Sequence, residues 1–457
     1  MRLFSVFACL ALTSALTACV ASPPAQVSKS FIEDRTDQGV AALQSFASGP
    51  AIGVTRSNAE MAADFLDLEF RMESGRALPR LTRFEGPITV AMIGDVPPAA
   101  RAELGRVIAR FRSEAGLNIS AVSGGEASVT IDFQPKSAMR RAVPSAACFV
   151  VPGVSSFKEY LSSRNTAKVD WAHLTQRTKA AIFVPADTSP QEVRDCLHEE
   201  LAQSMGPLND LFRLPDSVFN DDNFNSVLTG FDMLMLRVHY APDLRSGMNE
   251  AEVAARLPAI LARLNPAGER RGATPGQISP RSWIGSVEAA FGGRDGGREA
   301  AAERMLSIAR AQGWTDGRLA FSYFALARAQ TGGNMAAAIA SYNQAARIWR
   351  TLPSGQIHAA HVDMQLAAFA LSSGQFDQAL SLTDRAIPVV RRYQNASLLA
   401  TMLAMRAEAL EALGRDGEAR AARLDSLGWA RYAFGSDAQV RARMADIATL
   451  AARGRRG

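Results

Sequence analysis

The densest run of side chains able to do chemistry is His198-Glu199-Glu200-Leu201-Ala202-Gln203-Ser204-Met205-Gly206-Pro207-Leu208-Asn209-Asp210. Zinc-assisted hydrolysis on a helix needs two histidines four apart on one face, with a glutamate beside the first to take a proton from metal-bound water. The residue four after His198 is Ala202, so that motif is broken. Gln203 and Asn209 offer only neutral amide oxygens, which are poor zinc ligands. Glu199 is therefore the one weak candidate ligand, and no metal or other cofactor is expected. Glu200 keeps the character of a general base, but without a metal there is no bound water whose pKa is lowered toward ~7. The structural use of these residues is a buried hydrogen-bond network of Glu199, Glu200, Gln203, Asn209 and Asp210, because buried polar groups must find partners. His198 lies about 100° around the helix from Glu199. It is expected off that face, partly buried and bonded to a neighbour.

The helix that positions these residues has clear ends. Thr188-Ser189-Pro190 supplies an N-cap and a proline at the first helical position, and Gly206-Pro207 supplies the stop. Upstream, Ile88 to Ile93 alternates around β-branched residues and reads as a strand. Ala99 to Ala115 carries Leu104, Val107, Ile108 and Phe111 at helical spacing. Short apolar runs at Ile119 to Val122, Val129 to Phe133, Cys148 to Val151 and Ala180 to Val184 read as further strands. Together these predict one α+β domain over 56–262.

With the register shifted by one, Glu199, Glu200, Gln203, Gly206 and Asn209 fall where a metzincin protease has His, Glu, His, Gly and His. The order of strands and helices before them is also that of a metzincin N-terminal half. Asp216-Ser217-Val218-Phe219-Asn220 stands where those enzymes carry a Ser-x-Met turn, and Leu228-Thr229-Gly230-Phe231-Asp232 with Leu236 and Tyr240 resembles their closing helix. The chain also resembles a family of exported proteobacterial lipoproteins containing domain of unknown function 2927. Ser57-Asn58, Phe65-Leu66-Asp67-Leu68, Arg83-Phe84-Glu85-Gly86-Pro87-Ile88 and Cys196 to Gln203 with Gly206 and Asn209-Asp210 carry that likeness, over roughly 56 to 250. The resemblance implies a metzincin-like scaffold with a degenerate zinc motif and no established activity.

Residues 263–299 are rich in Gly, Pro and Arg and read as a linker. Beyond them the sequence is alanine-rich and helical. Gly333, Gly374 and Gly414 recur at intervals of 41 and 40, each followed five residues later by Ala338, Ala379 or Ala419, with Ala345, Ala386 and Ser426 twelve residues on. Glycine ends one helix and the small residues let its antiparallel neighbour approach. This resembles tetratricopeptide repeats over 300–450; a non-repeating bundle is the other reading. His358 and His361, three apart with no acidic or thiolate company, are expected to face solvent. Arg441, Arg443, Arg453, Arg455 and Arg456 are expected in a solvated, frayed end, with 451–457 as a basic tail. The fold class predicted is thus an α+β metzincin-like domain followed by an all-α, tetratricopeptide-like helical-repeat domain.

Composition bounds the rest. The chain has 457 residues, 47% hydrophobic, so disorder is excluded as its main state. Its net charge of +5 is too small to announce nucleic-acid binding. From Ala301 onward 19 Arg oppose 12 Asp and Glu, giving +7, so the remainder carries −2. The N-terminus has a basic Arg2, an apolar run from Leu3 to Leu16, and Leu16-Thr17-Ala18-Cys19, which resembles a lipoprotein signal with cleavage after Ala18 and lipid on Cys19. An ordinary signal peptide cut near Ala21 is the alternative. The lipobox reading makes 1–18 a signal peptide and 19–55 a tether, and predicts a periplasm-facing lipoprotein, with no aspartate after Cys19 to oppose outer-membrane sorting. Cys148 and Cys196 then remain to form a disulfide or two separately buried thiols. The function expected is non-catalytic binding of an envelope protein or a peptide, through the repeats or a sheet-edge cleft, with the membrane held through the lipid on Cys19. The competing expectation is a divergent hydrolase using Glu200 as base and Glu199 as a residual metal ligand.

Overall fold

The structure, a computed structural model, describes residues 46, 54, 56–124, 126–144, 146–269, 276–292 and 297–456. These lie within one compact unit, residues 38–457. The signal peptide, Cys19 and nearly all of the tether lie outside the described residues.

Five strands form the N-terminal sheet: β1 (Ile88–Gly94), β2 (Ile119–Ala121), β3 (Val129–Gln134), β4 (Phe149–Pro152) and β5 (Ala180–Pro185). Their order is β2-β1-β3-β5-β4, all parallel except β4, which runs antiparallel to β5 at one edge. Central strands of a parallel sheet are covered on both faces and must be apolar along their whole length. Accordingly every residue of β5 is buried. One face, through Ile131, Phe133, Ile182 and Val184, packs on α2 (Ala100–Glu114) and α5 (Pro190–Met205), in a core that extends to α1 (Asn58–Glu69) and to α6 (Gly230–His239) and α8 (Leu257–Leu264) further along the chain. The other face, through Val151, Ala181 and Phe183, is closed by Met139 of α3 (Lys136–Ala142) and Phe157 of α4 (Phe157–Ser163). A short helix, α7 (Glu250–Ala254), precedes α8.

An all-helical region follows: α9 (Arg281–Gly292), α10 (Arg298–Ala311), α11 (Gly317–Gln330), α12 (Met335–Thr351), α13 (Gln356–Ser372), α14 (Phe376–Arg392), α15 (Ala396–Ala412), α16 (Asp416–Phe434) and α17 (Asp437–Gly454). Consecutive helices stack in pairs. The spaced small residues Ala338, Ala345, Ala379, Ala386, Ala419 and Ser426 are all buried, and Ser426 Oγ donates to the Ala400 carbonyl of the neighbouring helix at 2.8 Å. Gly374 and Gly414, just past α13 and α15, take the positive φ of a helix-terminating turn.

Three segments differ from the sequence reading. The stretch 263–299, read as a linker, contains α9. Trp283 there is fully buried, donates from Nε1 to Ser322 Oγ at 3.1 Å and meets Trp314 edge-on at 5.4 Å, so its apolar face outweighs the glycines on either side. The arginine-rich end is helical through Gly454, because Val440, Ile447 and Ala451 form a stripe at helical spacing that is buried, with α17 lying on α13 and α15. His358 does not face solvent: it is fully buried, and its Nε2 lies 2.9 Å from Asp222 Oδ2. His361 is half-buried with its Nε2 fully covered, and burial pushes its pKa down to about 3.

The cause lies in residues 207–229, the long connection from α5 to α6. Phe224, inserted from this connection into the helical core, contacts Phe324, Trp349, His358 and His361. Phe212 packs edge-on against Trp283 at 5.0 Å. The two regions therefore share a core through the segment that also carries Asn209 and Asp210.

Candidate functional site

Helix α5 is fixed at both ends. A capping box joins Ser189 and Glu192 with Pro190 in the first turn, satisfying amide donors that the helix itself leaves open. At the other end, buried Arg177 donates from Nη1 to the carbonyls of Gln203 and Ser204, both at 2.8 Å, and from Nη2 to Gly206. A cation at a helix C-terminus matches the partial negative charge there. A Cβ at Gly206 would lie 2.8 Å from His239 Nδ1 and 2.9 Å from Glu69 Oε1, so any larger residue would require that buried pair to shift. Between the ends, Cys196 is joined by a disulfide to Cys148, with Cα atoms 6.0 Å apart. The bridge ties α5 to the start of edge strand β4.

One face of α5 is fully partnered. Leu228 N donates to His198 Nδ1 at 3.1 Å, so the proton sits on Nε2, which donates to Glu103 Oε1 of α2 at 3.2 Å. Arg194 Nε at 3.1 Å and Arg106 Nε at 3.0 Å donate to the same carboxylate. Burial pushes the His198 pKa down to about 4, its hydrogen bond to Glu103 only partly opposing this. Burial would raise Glu103, but the bond from His198 and the charge of Arg194 hold it at about 2. Arg194 also reaches Gln394, just past α14, and Gln191 Oε1 accepts from Ala396 N at 3.1 Å, so this face docks on the helical region.

The other face is different. Glu199 and Glu200 stand beside Asp210, with exposed Glu73 and Asp221 bordering them. Glu200 is 5% exposed, and its Oε2 has no hydrogen-bond partner; Asp210 Oδ1 is likewise covered and unpartnered. Burial, then the charge of Asp210 for Glu200 and of Glu200 for Glu199, raises both glutamate pKa values well above the carboxylate range. Burial followed by Glu199 does the same to Asp210, with a hydrogen bond from Gln203 opposing it. Asp195, one turn before Glu199, is pushed up by burial to about 7.

The five residues expected as one network are thus divided. Gln203 joins Asp210, while the Asn209 amide donates to the Asp67 carbonyl at 2.9 Å and its oxygen accepts from Asp210 N at 3.1 Å. Glu200 is outside any network, and His198 belongs to the opposite face. Glu73, Asp221, Asp195, Glu103 and Arg177 were not among the sequence candidates. The polar run Asn220-Asp221-Asp222-Asn223 was a visible signal for one of them; Glu73, in the turn after α1, carried none.

Among the described residues no group of three or more His, Cys, Asp or Glu is arranged to hold a metal ion. Glu199 alone cannot supply a zinc site, Gln203 offers only a neutral amide, and Asn209 Oδ1 already accepts from Asp210 N.

Fold and site together define an α/β region with a five-stranded mixed sheet, joined to stacked helix pairs and bearing a carboxylate-lined site on its last sheet-packed helix. Residues 58–259 match a family described as protein of unknown function, DUF2927. A comparison with curated proteins finds no match.

Proposed function

We propose that this protein is a lipoprotein anchored in the bacterial cell envelope that captures a protein or peptide without cutting it. The scaffold is metzincin-like, and its stacked helix pairs are tetratricopeptide-like docking elements. One observation carries the non-catalytic reading: the positions that would hold zinc are occupied by Glu199, Gln203 and Asn209, two of them neutral amides, and the Asn209 oxygen already accepts from Asp210 N at 3.1 Å. The element order up to α5 supports the metzincin likeness. The Cys148–Cys196 disulfide supports export, since such bonds persist in oxidising compartments. Anchoring rests on the Leu16 to Cys19 sequence; no helix among the described residues is long and apolar enough to cross a membrane.

The helical region offers a place to dock. A groove of about 530 Å³ between α10, α11 and α12 is lined by Glu303, Arg310, Tyr323 and Gln344. Deleting the repeats is a poor test, because Phe212 and Phe224 need them. A photo-crosslinker placed at Gln344 in living cells is better. The account expects one envelope protein to be captured, and capture to be lost with Arg310→Glu and Tyr323→Ala together. Capture unchanged by those substitutions, or none at all, would remove the groove as the docking surface.

A hydrolase has one observation in its favour, the orphaned, high-pKa carboxyl of Glu200, since perturbed carboxyls gather at catalytic centres. Burial and the charge of Asp210 favour the protonated form of this carboxyl, whereas the divergent-hydrolase alternative needs a base. Peptidase turnover by purified protein that disappears in Glu200→Gln would establish that alternative over capture.

A further inference from the structure

Resting on the capture reading, we propose that the acidic face of α5 receives a basic side chain, the guanidinium or ammonium of an arginine or lysine presented by a peptide or protein. Five carboxyl groups, those of Glu73, Glu199, Glu200, Asp210 and Asp221, act on one another electrostatically there, and none of them forms an ion pair among the described residues. Several other buried acids of this molecule are ion-paired, Asp64 with Arg56 and Arg213, Glu103 with Arg194 and Asp363 with Arg350 and Arg385, or, like Asp232, accept hydrogen bonds from Ser217, Val218 and Thr229. Arg281, which donates to the Glu73 backbone carbonyl, is also bound to Glu288.

The second observation is the bottom of the site. Glu200 Oε2 and Asp210 Oδ1 are sealed from water and accept no hydrogen bond, which buried acceptors seldom tolerate. Both lack a donor that a ligand would bring. Their spacing selects the donor, since the carboxylates do not close into a cage for one small ion. A guanidinium with its fork of N–H groups, or an ammonium with three, can satisfy separated carboxylates at once. Exposed Glu73 and Asp221 at the rim attract a cation before it is desolvated.

The test is an NMR titration of the full chain with Ac-Gly-Arg-Gly-NH2, its lysine analogue and its glutamine analogue, each to about 10 mM, the range where a single ion-paired anchor registers. The arginine and lysine peptides should saturate and shift signals along α5, with the glutamine peptide at least about tenfold weaker. Glu200→Gln and Asp210→Asn should each weaken the basic peptides about tenfold. Glu126→Gln, at a fully exposed carboxylate elsewhere, should change nothing. Two substitutions guard against one that fails to fold. Failure to saturate, equal binding of the glutamine peptide, or affinity indifferent to both substitutions would overturn the proposal. So would stoichiometric displacement of the peptides by micromolar calcium or zinc chloride, which would make this a metal site. Crosslinking through the α10–α12 groove does not involve Glu200, so either result can fail without the other.

Discussion

The two faces of α5 solve burial in opposite ways. On one, Glu103 gathers His198, Arg194 and Arg106, and each buried charge has an opposite charge or a donor against it. On the other, barely one residue around the helix, Glu199 and Glu200 stand close to Asp210, and none of the three forms an ion pair among the described residues. The first arrangement is what folding demands, because an unpaired buried charge costs several kcal/mol. The second lowers stability, and the remainder of the fold must offset it. Burial by itself therefore says little about function here; buried charge left without a partner says more.

The largest effect belongs to the partnered face: Glu103→Ala leaves Arg194 uncompensated and should destabilise by about 3–5 kcal/mol in urea unfolding. A loss under about 1 kcal/mol would mean that this face does not hold α5 in place. Next comes the bridge that fixes α5 to the sheet edge. Replacing both Cys148 and Cys196 by serine should cost about 2–4 kcal/mol, the loop they close spanning 48 residues, and should leave the pKa contrast between the faces unchanged.

The pH dependence separates the faces by sign. His198 is neutral when folded and titrates near pH 4, against about 6.5 in the unfolded chain. Stability is therefore full above pH 6.5 and falls as the pH drops toward 4, where the unfolded state takes up the proton first. Glu103, held at about 2, adds a further loss between 4.5 and 2. His198→Gln should flatten the upper part of this decline, and a decline unchanged in shape would assign it to other groups. The acidic face behaves in reverse, since its raised carboxyls weaken the fold as the pH rises. The smallest expected effect is there: Glu200→Gln should stabilise by about 1 kcal/mol at alkaline pH, by removing a buried group that wants a charge it cannot pair.

Much of the scaffold was legible in the chain. The apolar runs of β1 to β5 and the Ser189-Pro190 start of α5 are local signals, and the small residues from Ala338 to Ser426 already gave the helix pairs. Helix α9 was hidden because glycines surround it, and its buried Trp283 gains meaning only from Trp314 and Phe212 in other segments. His358 was misjudged for the same reason: nothing near it in sequence discloses that Phe224 and Asp222 bury it. In the site, Glu199, Glu200 and Asp210 stood out as neighbours. That they repel one another, while Asn209 and His198 serve other contacts, depends on where Glu73, Asp67 and Glu103 arrive from distant elements.

The contrast between the faces is tested most directly by the unfolding free energy of wild type and Glu200→Gln measured side by side from pH 4 to pH 8. The account predicts curves that converge toward the acid end, where Glu200 becomes increasingly protonated in the unfolded chain as well, and a variant that becomes progressively the more stable as the pH rises. A variant less stable than wild type at pH 8, or a difference independent of pH, would mean that Glu200 is a satisfied part of the fold and that the acidic face is not waiting for a cation.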